Sequence, residues 1–368
     1  MPSLGEKIGL LRGLWRCDKA FAGPFTVTLD VTRRCNLRCI GCPAHSPDRK
    51  TRAPSDPTIS DVDVELVSKL CREMQSAGAH KLVFCGQGEP LLHPRLPELI
   101  RLAKASGFNT VLITNGTLLD EPAAEALVES GLDLLRVSLW GNSREAIEGN
   151  YPGTKAEYIQ AVPAAVRRLI SAREARGARL PRVVLHMVID RCDFADIGSF
   201  AELAQDVGAD AVSFSPLHSI RGPLAELVPS RDEERQLILQ LRQVGRKLRS
   251  AGLEDNAEET IRLYKAGPDV LRTVSCYIPW THPRVRVDGT VYPCDSCDWP
   301  MGNLRAQSLS EIWNGPAYRS FRKHILSPSG SGVIDRRCDC SYCCHFGSNQ
   351  KIHRVYRWIA PLARISRS

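Results

Sequence analysis

Short apolar runs rich in β-branched residues recur through the N-terminal part of the chain, and segments with helical spacing separate them. Six of the runs predict β-strands: residues 25–31, 81–85, 110–114, 134–138, 183–189 and 211–215. Intervening segments predict helices over 61–77, 96–106, 120–130, 157–175 and 196–206. Regular alternation of strand and helix favours a parallel sheet with right-handed crossovers, so the predicted fold class is α/β.

Two predicted helices have recognisable start signals. Ser60 is the expected N-cap of the helix over 61–77. After the sixth strand, Ser230 and Glu233 form a capping box and Gly252 is a stop signal, so residues 230–252 predict a further helix. We expect this helix to bridge two domains, and substrate pockets often lie between domains.

A β-hairpin is predicted further along the chain. Val285, Val287 and Val291 alternate with other residues around Asp288 and Gly289, a pair typical of a type I′ turn. The phrase "SLSEIWN", residues 308–314, then predicts a short helix before a cysteine-rich segment.

Composition narrows the class of protein. The chain has 368 residues, a 43% hydrophobic and a 24% charged fraction, which are ordinary for a globular protein. It has no apolar run long enough to span a membrane and no signal peptide, so we expect a cytoplasmic location. The net charge of +8 is spread along the chain, and no nucleic-acid partner is expected.

The C-terminal segment is locally basic. "KIHRVYRWIAPLARISRS" has no acidic residue, and Tyr356 and Trp358 lie among its cations. A docked or solvated terminal helix explains this composition. The alternative is a peripheral contact with anionic lipid or with an anionic substrate.

The cysteines carry the first chemical signal. In a reducing compartment metal binding is favoured over disulfides, and the chain has 14 cysteines. Cys35, Cys39 and Cys42 have the spacing C-x3-C-x2-C, without a fourth cysteine or histidine at a spacing usual for zinc. A cubane iron–sulfur cluster on three thiolates has one iron free to bind a small molecule.

The stretch "CNLRCIGC", residues 35–42, resembles the signature of radical S-adenosylmethionine (SAM) enzymes. The resemblance implies a partial (β/α)6 barrel, a 4Fe–4S cluster on the three cysteines, and SAM bound at the open iron. It also implies reductive cleavage of SAM to a 5′-deoxyadenosyl radical that abstracts hydrogen, with a flavodoxin or ferredoxin as the reducing partner. The family usually has an aromatic residue where this chain has Gly41, which puts one contact with the adenine edge in doubt.

Three further phrases lie at predicted strand ends, where such barrels have their active sites. "GQGEP" after strand two resembles the family's "GGEP" element, "TNG" after strand three resembles its methionine and ribose element, and "VSLWG" ends strand four. The resemblance implies SAM-binding roles for Gly86, Gln87, Gly88, Glu89, Pro90, Thr114, Asn115, Ser138 and Trp140. Many relatives have Asp at the position of Trp140. His186, Met187, Ser215 and His218 are expected near the cavity, and structural roles for the histidines are an open alternative.

The order of hairpin, helix and terminal cysteines resembles the auxiliary-cluster domains called SPASM and twitch. The twitch resemblance implies one auxiliary 4Fe–4S cluster on Cys276, Cys294, Cys340 and Cys343. Cys338 or Cys344 could replace a neighbour, a second auxiliary cluster is an alternative, and Cys297 has no assigned role. A zinc ribbon on Cys294, Cys297, Cys340 and Cys343 is the protein-only alternative.

These features predict an N-terminal extension over 1–23, a barrel over 24–225, a bridging segment over 226–270, a SPASM/twitch domain over 271–345 and a basic tail over 346–368. This arrangement of a barrel followed by a twitch-type domain resembles that of inosamine dehydrogenases. This resemblance, and the short segment before the first strand, imply a small polar substrate such as a sugar, cyclitol or natural-product intermediate.

The expected reaction is dehydrogenation or epimerisation, and the expected class is a radical SAM oxidoreductase or epimerase. An epimerase needs a hydrogen donor, and Cys192 after strand five is the candidate. An ordinary loop cysteine is the alternative. A peptide-modifying radical SAM enzyme is the second enzymatic hypothesis, and a zinc- or cluster-binding regulator of nucleic acids is the non-enzymatic one.

Overall fold

The computed structural model describes residues 2–47, 58–217, 222–326, 338 and 340–365. Its strands are β1 Thr26–Asp30, β2 Lys81–Cys85, β3 Asn109–Thr114, β4 Leu134–Ser138, β5 Arg182–Ile189, β6 Ala211–Pro216, β7 Glu254–Asp255, β8 Arg284–Val285, β9 Thr290–Tyr292 and β10 Gly302–Asn303. Its α-helices are α1 Leu4–Arg16, α2 Val64–Ser76, α3 Leu96–Ala105, α4 Glu121–Glu129, α5 Arg144–Asn150, α6 Ala156–Gln160, α7 Val162–Ala175, α8 Ile197–Asp206, α9 Arg231–Ser250, α10 Ala257–Ala266, α11 Leu309–Trp313, α12 Pro316–Leu326 and α13 Phe346–Ile365.

One sheet organises the described part of the molecule, in the order β10-β9-β8-β1-β2-β3-β4-β5-β6-β7. The strands from β1 to β6 are all parallel to their neighbours, and helices connect each to the next. This is the α/β barrel architecture that the alternation of apolar runs predicts, and all six predicted barrel strands are present.

The core lies between the outer faces of these strands and the helices. On β1, Val27 and Leu29 are fully buried, and α2 covers that side with Leu70 and Met74. Because side chains alternate along a strand, the neighbouring residues Thr28 and Asp30 face the barrel interior. Burial of each large apolar side chain contributes about 1.5–3 kcal/mol to folding.

Two helix predictions need correction. Helix α2 begins at Val64 rather than near residue 61, and Asp63, not Ser60, caps it by accepting a hydrogen bond from the Leu66 N–H at 2.7 Å. Residue 61 instead forms a β-bridge with Thr32. The predicted helix over 157–175 is two helices, α6 and α7, which meet at Ala161 because a proline in the first turn of α7 cannot donate a backbone hydrogen bond.

The predicted hairpin is present, but its turn is not of type I′. Strands β8 and β9 are antiparallel, with Val285 opposite Val291. Only Gly289 has a positive φ, of 85°, whereas a type I′ turn needs two such residues. Asp288 instead uses its Oδ1 to accept a hydrogen bond from the Thr290 N–H at 2.9 Å. The Gly289 N–H donates to the Arg286 carbonyl, so the turn spans one residue more than expected.

The two edges of the barrel sheet are both extended by later parts of the chain. Strand β7, after the capping-box helix α9, pairs with β6, and β8 pairs in parallel with β1. Across the second junction, the Arg284 guanidinium donates to both carboxylate oxygens of Asp30, at 2.8 and 2.9 Å. Asp30 is fully buried, so this ion pair is shielded from solvent on the inner face of the barrel.

The basic C-terminal segment forms helix α13, which packs against α1. Its Tyr356 hydroxyl donates to the Leu14 carbonyl at 3.4 Å, while Trp358 is 72% exposed. No described helix combines the length and apolar composition needed to cross a membrane.

Arg284→Met tests the junction between β1 and β8. This substitution leaves the buried Asp30 carboxylate without its cation, and we expect a loss of about 3–5 kcal/mol in the free energy of unfolding, measured by urea denaturation. The double variant Asp30→Asn, Arg284→Met should recover part of that loss. Arg144→Met is the control, because Arg144 pairs with Glu148 on the exposed surface and its loss should cost less than about 1 kcal/mol. Equal losses in the two single variants would contradict a structural role for the buried pair.

Candidate functional site

The three-cysteine loop directly follows β1, at the end of the sheet where the parallel strands terminate. Cys42 Sγ accepts hydrogen bonds from the backbone N–H groups of Ala44 and His45, at 3.4 and 3.3 Å. Such bonds stabilise a thiolate, the form in which cysteine binds metal. Cys35, Cys39 and Cys42 are all partly exposed.

Electrostatics of the loop suit a bound cationic group. Burial raises the pKa of Cys35 and of Cys39, and repulsion from Cys42 raises both further. A metal ion or cluster would reverse both effects, because it supplies positive charge where thiolates repel one another. The donor set therefore fits an iron–sulfur cluster on three thiolates.

The loop is held from two sides. Asn115, at the end of β3, donates from Nδ2 to Asn36 Oδ1 at 3.0 Å, and Asn36 donates to Thr117 Oγ1 at 2.8 Å. On the other side, the Ile40 N–H donates to the Asn150 carbonyl at the end of α5, also at 3.0 Å. The "TNG" element after β3 is thus bonded to the cysteine loop.

The buried Glu89 carboxylate links the carboxyl ends of the neighbouring strands β2 and β3. Its carboxylate accepts hydrogen bonds from Thr114 Oγ1 at 2.5 Å, from the Asn115 N–H at 2.7 Å and from the Leu91 N–H at 3.0 Å. Burial raises its pKa, although these bonds oppose the shift. Both oxygens are engaged in this way, so the carboxylate orients the "TNG" element.

The rest of the "GQGEP" element lies against the cysteine loop. The Glu89 N–H donates to the Arg34 carbonyl at 2.8 Å. Gly88 lies so close to the same carbonyl that a side chain there would collide with it. Gly86 and Gln87 are partly exposed, and buried Pro90 begins a 3-10 turn that ends at Leu92.

Gly41 and Trp140 are complementary in shape. A Cβ atom at Gly41 would lie 2.7 Å from Trp140 Cη2 and 2.6 Å from Leu217 Cδ1. The indole Nε1–H of Trp140 donates to Ser138 Oγ at 3.1 Å, and its backbone N–H donates to the Tyr151 hydroxyl at 2.8 Å. The indole therefore lies beside the position where the family signature has an aromatic side chain.

The barrel interior is polar at the carboxyl ends of β5 and β6. The His186 ring contacts Ser213 Oγ at 2.8 Å through Nδ1 and Ser215 Oγ at 3.2 Å through Nε2. Met187, expected near the cavity, instead points the other way, is completely buried and belongs to the hydrophobic core. His218 lies outside the described residues.

The loop after β5 contains a pair of buried carboxylates that the sequence analysis missed. Asp190 and Asp193 flank the exposed Cys192, and burial raises the pKa of Asp190 to about 6. Burial and the Asp190 charge raise the pKa of Asp193. The same desolvation and the two acids raise the pKa of Cys192, which favours its neutral thiol. Acidic residues directly after a barrel strand were the available signal.

The second cysteine group is assembled beside β1. Burial raises the pKa of Cys294, and Cys340 and Cys276 raise it further, so these thiols lie close enough to repel one another. Burial likewise raises the pKa of Cys343, with Cys344, Cys276 and Cys340 contributing. The four cysteines expected to hold an auxiliary cluster are therefore neighbours, and their mutual repulsion fits a shared cationic group.

Cys297 and Cys338 form a disulfide with an S–S distance of 2.07 Å, which the expectation of free thiols did not include. A β-bridge between the two residues holds their Cα atoms 4.0 Å apart, which explains the pairing. The disulfide removes Cys297 from the zinc-ribbon set in this structure. Cys344 is exposed.

A histidine–aspartate cluster lies between the second cysteine group and β1. Asp295, next to Cys294, is 3.2 Å from His345 Nε2 and 3.5 Å from His282 Nε2. His282, His345 and Arg284 hold the pKa of Asp295 well below its usual value, although burial opposes them. His282 Nε2 is also 2.7 Å from Thr28 Oγ1, so the cluster ties the cysteine group to the barrel interior.

Comparisons with known proteins agree with this architecture. The model of the radical SAM superfamily matches residues 29–204, and that of the SPASM iron–sulfur cluster-binding domain matches residues 276–345. The chain is 29% identical over 326 residues to the PqqA peptide cyclase of Gluconobacter oxydans, covering 85% of this chain and 83% of that protein. It is 26% identical to the AdoMet-dependent heme synthase of Methanosarcina barkeri, covering 87% of this chain and 91% of that one.

Solved structures share the fold of this chain. Native anSMEcpe with bound AdoMet superposes with a TM-score of 0.64 and 17% identity, covering 92% of this chain and 99% of that chain. The expected resemblance to inosamine dehydrogenases is not supported, because the relatives are peptide cyclases, heme synthases and similar enzymes. The two family matches, the three-cysteine loop and the second cysteine group together identify this chain as a radical SAM enzyme with a C-terminal SPASM domain.

Proposed function

We propose that this enzyme modifies a peptide by radical chemistry. The observation that supports this most directly is the similarity to a peptide cyclase over 85% of the chain. It favours the peptide hypothesis over the sugar or cyclitol substrate expected from the sequence. The reaction type, dehydrogenation, epimerisation or bond formation within the peptide, depends on the substrate.

We assign Cys35, Cys39 and Cys42 to the SAM-binding 4Fe–4S cluster and the group Cys276, Cys294, Cys340 and Cys343 to one auxiliary cluster. When bound and reduced, the first cluster supplies the electron that cleaves SAM to methionine and a 5′-deoxyadenosyl radical. The protein's own contribution is positional: Glu89 orients Asn115, and Asn115 binds Asn36 within the cysteine loop. These bonds hold the strand ends and the loop as one rigid surface.

Trp140 takes the place of the missing aromatic residue. We propose that its indole, packed on Gly41 and bonded to Ser138, provides the apolar face for the adenine ring. Cys192 has a raised pKa that keeps its thiol protonated, and only a protonated thiol can donate a hydrogen atom. It is therefore our candidate donor if the product is epimerised.

The first test is anaerobic turnover. The reconstituted enzyme is incubated with SAM, a flavodoxin or ferredoxin system as the electron donor, and candidate precursor peptides. We expect 5′-deoxyadenosine and a mass change in one peptide. Cys35→Ala should abolish both products, because the cluster loses one of three ligands, whereas Cys17→Ala, outside both cysteine groups, should leave them unchanged. SAM cleavage with no modified peptide, combined with turnover of a cyclitol, would overturn the peptide assignment.

Iron content tests the two ligand sets. We expect about eight irons per chain in the reconstituted protein, four for each cubane cluster. Cys294→Ala should reduce the iron content to about four per chain and leave SAM binding intact. Cys35→Ala should also leave about four irons per chain, but SAM binding should be lost. About twelve irons in the unaltered protein would mean a second auxiliary cluster and would contradict the single-cluster assignment.

The pairing of Gly41 with Trp140 gives a reciprocal test. Trp140→Ala should weaken SAM binding by about tenfold, because stacking on an aromatic face contributes roughly 1–3 kcal/mol. The double variant Gly41→Phe, Trp140→Ala should restore part of the affinity, since the new ring fills the space left by the indole once the Leu217 side chain shifts away from position 41. Gly41→Phe alone should disrupt the loop by collision with Trp140. Equilibrium binding of labelled SAM is the measurement, and a double variant no better than Trp140→Ala would contradict the exchange.

A further inference from the structure

Arg136 lies at the middle of β4 and faces the barrel interior. Its register partners are Ile113 on β3 and Val184 on β5, and Ser138 lies on the same face two residues further along. A rise of about 3.3 Å per residue places Arg136 about 7 Å below Ser138, towards the bottom of the barrel.

The burial pattern of β4 confirms this direction, because Leu135 and Val137, on the opposite face, are completely buried in the hydrophobic core. Cys85, which ends β2 two strands away from β4, is near enough for its charge to act on the Arg136 guanidinium. A side chain on β4 comes close to one on β2 only across the inner face of the curved sheet, since β3 separates the two strands. The guanidinium therefore lies inside the barrel.

No described acidic side chain neutralises Arg136. Its Nε–H is shielded from solvent and has no hydrogen-bond partner among the described residues. Burial lowers the pKa of Arg136, and the nearby Cys85 thiol opposes this shift. By contrast, Arg284 on β8 is paired with Asp30, and Arg173 on helix α7 is paired with Asp210 at 2.8 Å.

An unpaired guanidinium that is shielded from water costs free energy of folding, because its charge loses water without gaining a counterion. Its planar array of N–H donors matches a carboxylate. The layer of Arg136 offers apolar neighbours, Ile113 and Val184, which would leave such a bond undisturbed by competing polar groups.

We propose that Arg136 binds an acidic side chain of the substrate, an aspartate or glutamate carboxylate that enters the barrel below the layer of Ser138. This inference rests on the proposed peptide-modifying function and adds the class of residue that the pocket accepts. An acidic side chain held at Arg136 has its backbone directed towards the open end of the barrel, where the cysteine loop lies. Arg136 thus acts as a positioning residue.

Propionate is the probe, because it has the carboxylate and methylene chain of such a side chain, and propionamide is its neutral counterpart. Saturation-transfer NMR on the reconstituted enzyme, with its clusters oxidised, reports binding of either molecule. We expect propionate to bind and propionamide not to bind. Arg136→Gln should weaken propionate binding by about tenfold or more, because hydrogen bonds to charged groups contribute about 1.5–3 kcal/mol. Arg136→Lys should retain part of the affinity through its charge.

Arg144→Gln is the matched control, since Arg144 is an exposed arginine of the segment after β4 and should leave propionate binding unchanged. Iron content and circular dichroism confirm that each variant is folded. Equal propionate binding by Arg136→Gln and the unaltered enzyme, or no binding by the latter, would overturn the proposal. Phosphate that displaces propionate with much higher affinity would do the same, because it would indicate a phosphorylated substrate.

The peptide-modifying function and the role of Arg136 can be contradicted independently of each other. If no peptide is modified but propionate binds through Arg136, the pocket accepts a carboxylate from another class of substrate and the peptide function is wrong. If a peptide is modified and its acidic residues can be changed to amides with no increase in KM, the function stands and the Arg136 inference is wrong.

Discussion

The buried ion pair between Asp30 and Arg284 joins the two cysteine groups into one structure. Asp30 ends the strand that precedes the three-cysteine loop, and Arg284 opens the hairpin that leads to Cys294. Arg284 also donates to the Asp295 carbonyl at 2.8 Å, next to that cysteine. Both groups are therefore fixed to the same edge of one sheet, and neither can shift without breaking a charged, desolvated contact. Distances between the proposed clusters are set by strand pairing rather than by a linker.

The local periodicity of apolar residues is enough to predict the barrel. Each strand and helix buries one face, and the apolar residues of that face recur in the sequence with the period of the element. The six strands and the loop after β1 follow from that pattern together with the spacing of Cys35, Cys39 and Cys42. The cap of α2 was misplaced by three residues, since Ser60 and Asp63 are both good caps and only the bridge at residue 61 decides between them. Capping chemistry is local, but the choice between two caps is made by tertiary contacts.

The parts of the site that could not be predicted depend on long-range contacts. At Gly41 the family's aromatic side chain is absent from the sequence. In the structure the space beside Gly41 is filled by Trp140, which follows a different strand, β4. Nothing in the sequence around Arg136 distinguishes an unpaired arginine from a paired one. The disulfide between Cys297 and Cys338 likewise follows from a β-bridge across 41 residues of sequence, which no spacing rule reveals.

The pairing of β8 with β1 also governs the order of events during synthesis. Strand β1 is synthesised long before its second neighbour, which lies more than 250 residues later, as the 254-residue separation of Thr28 and His282 illustrates. Until then β1 has an unpaired edge, which is the feature of a segment prone to pair with other chains, and Asp30 lacks its cation. A chain that ends before residue 284 would therefore keep this edge of β1 unpaired and would be prone to aggregate.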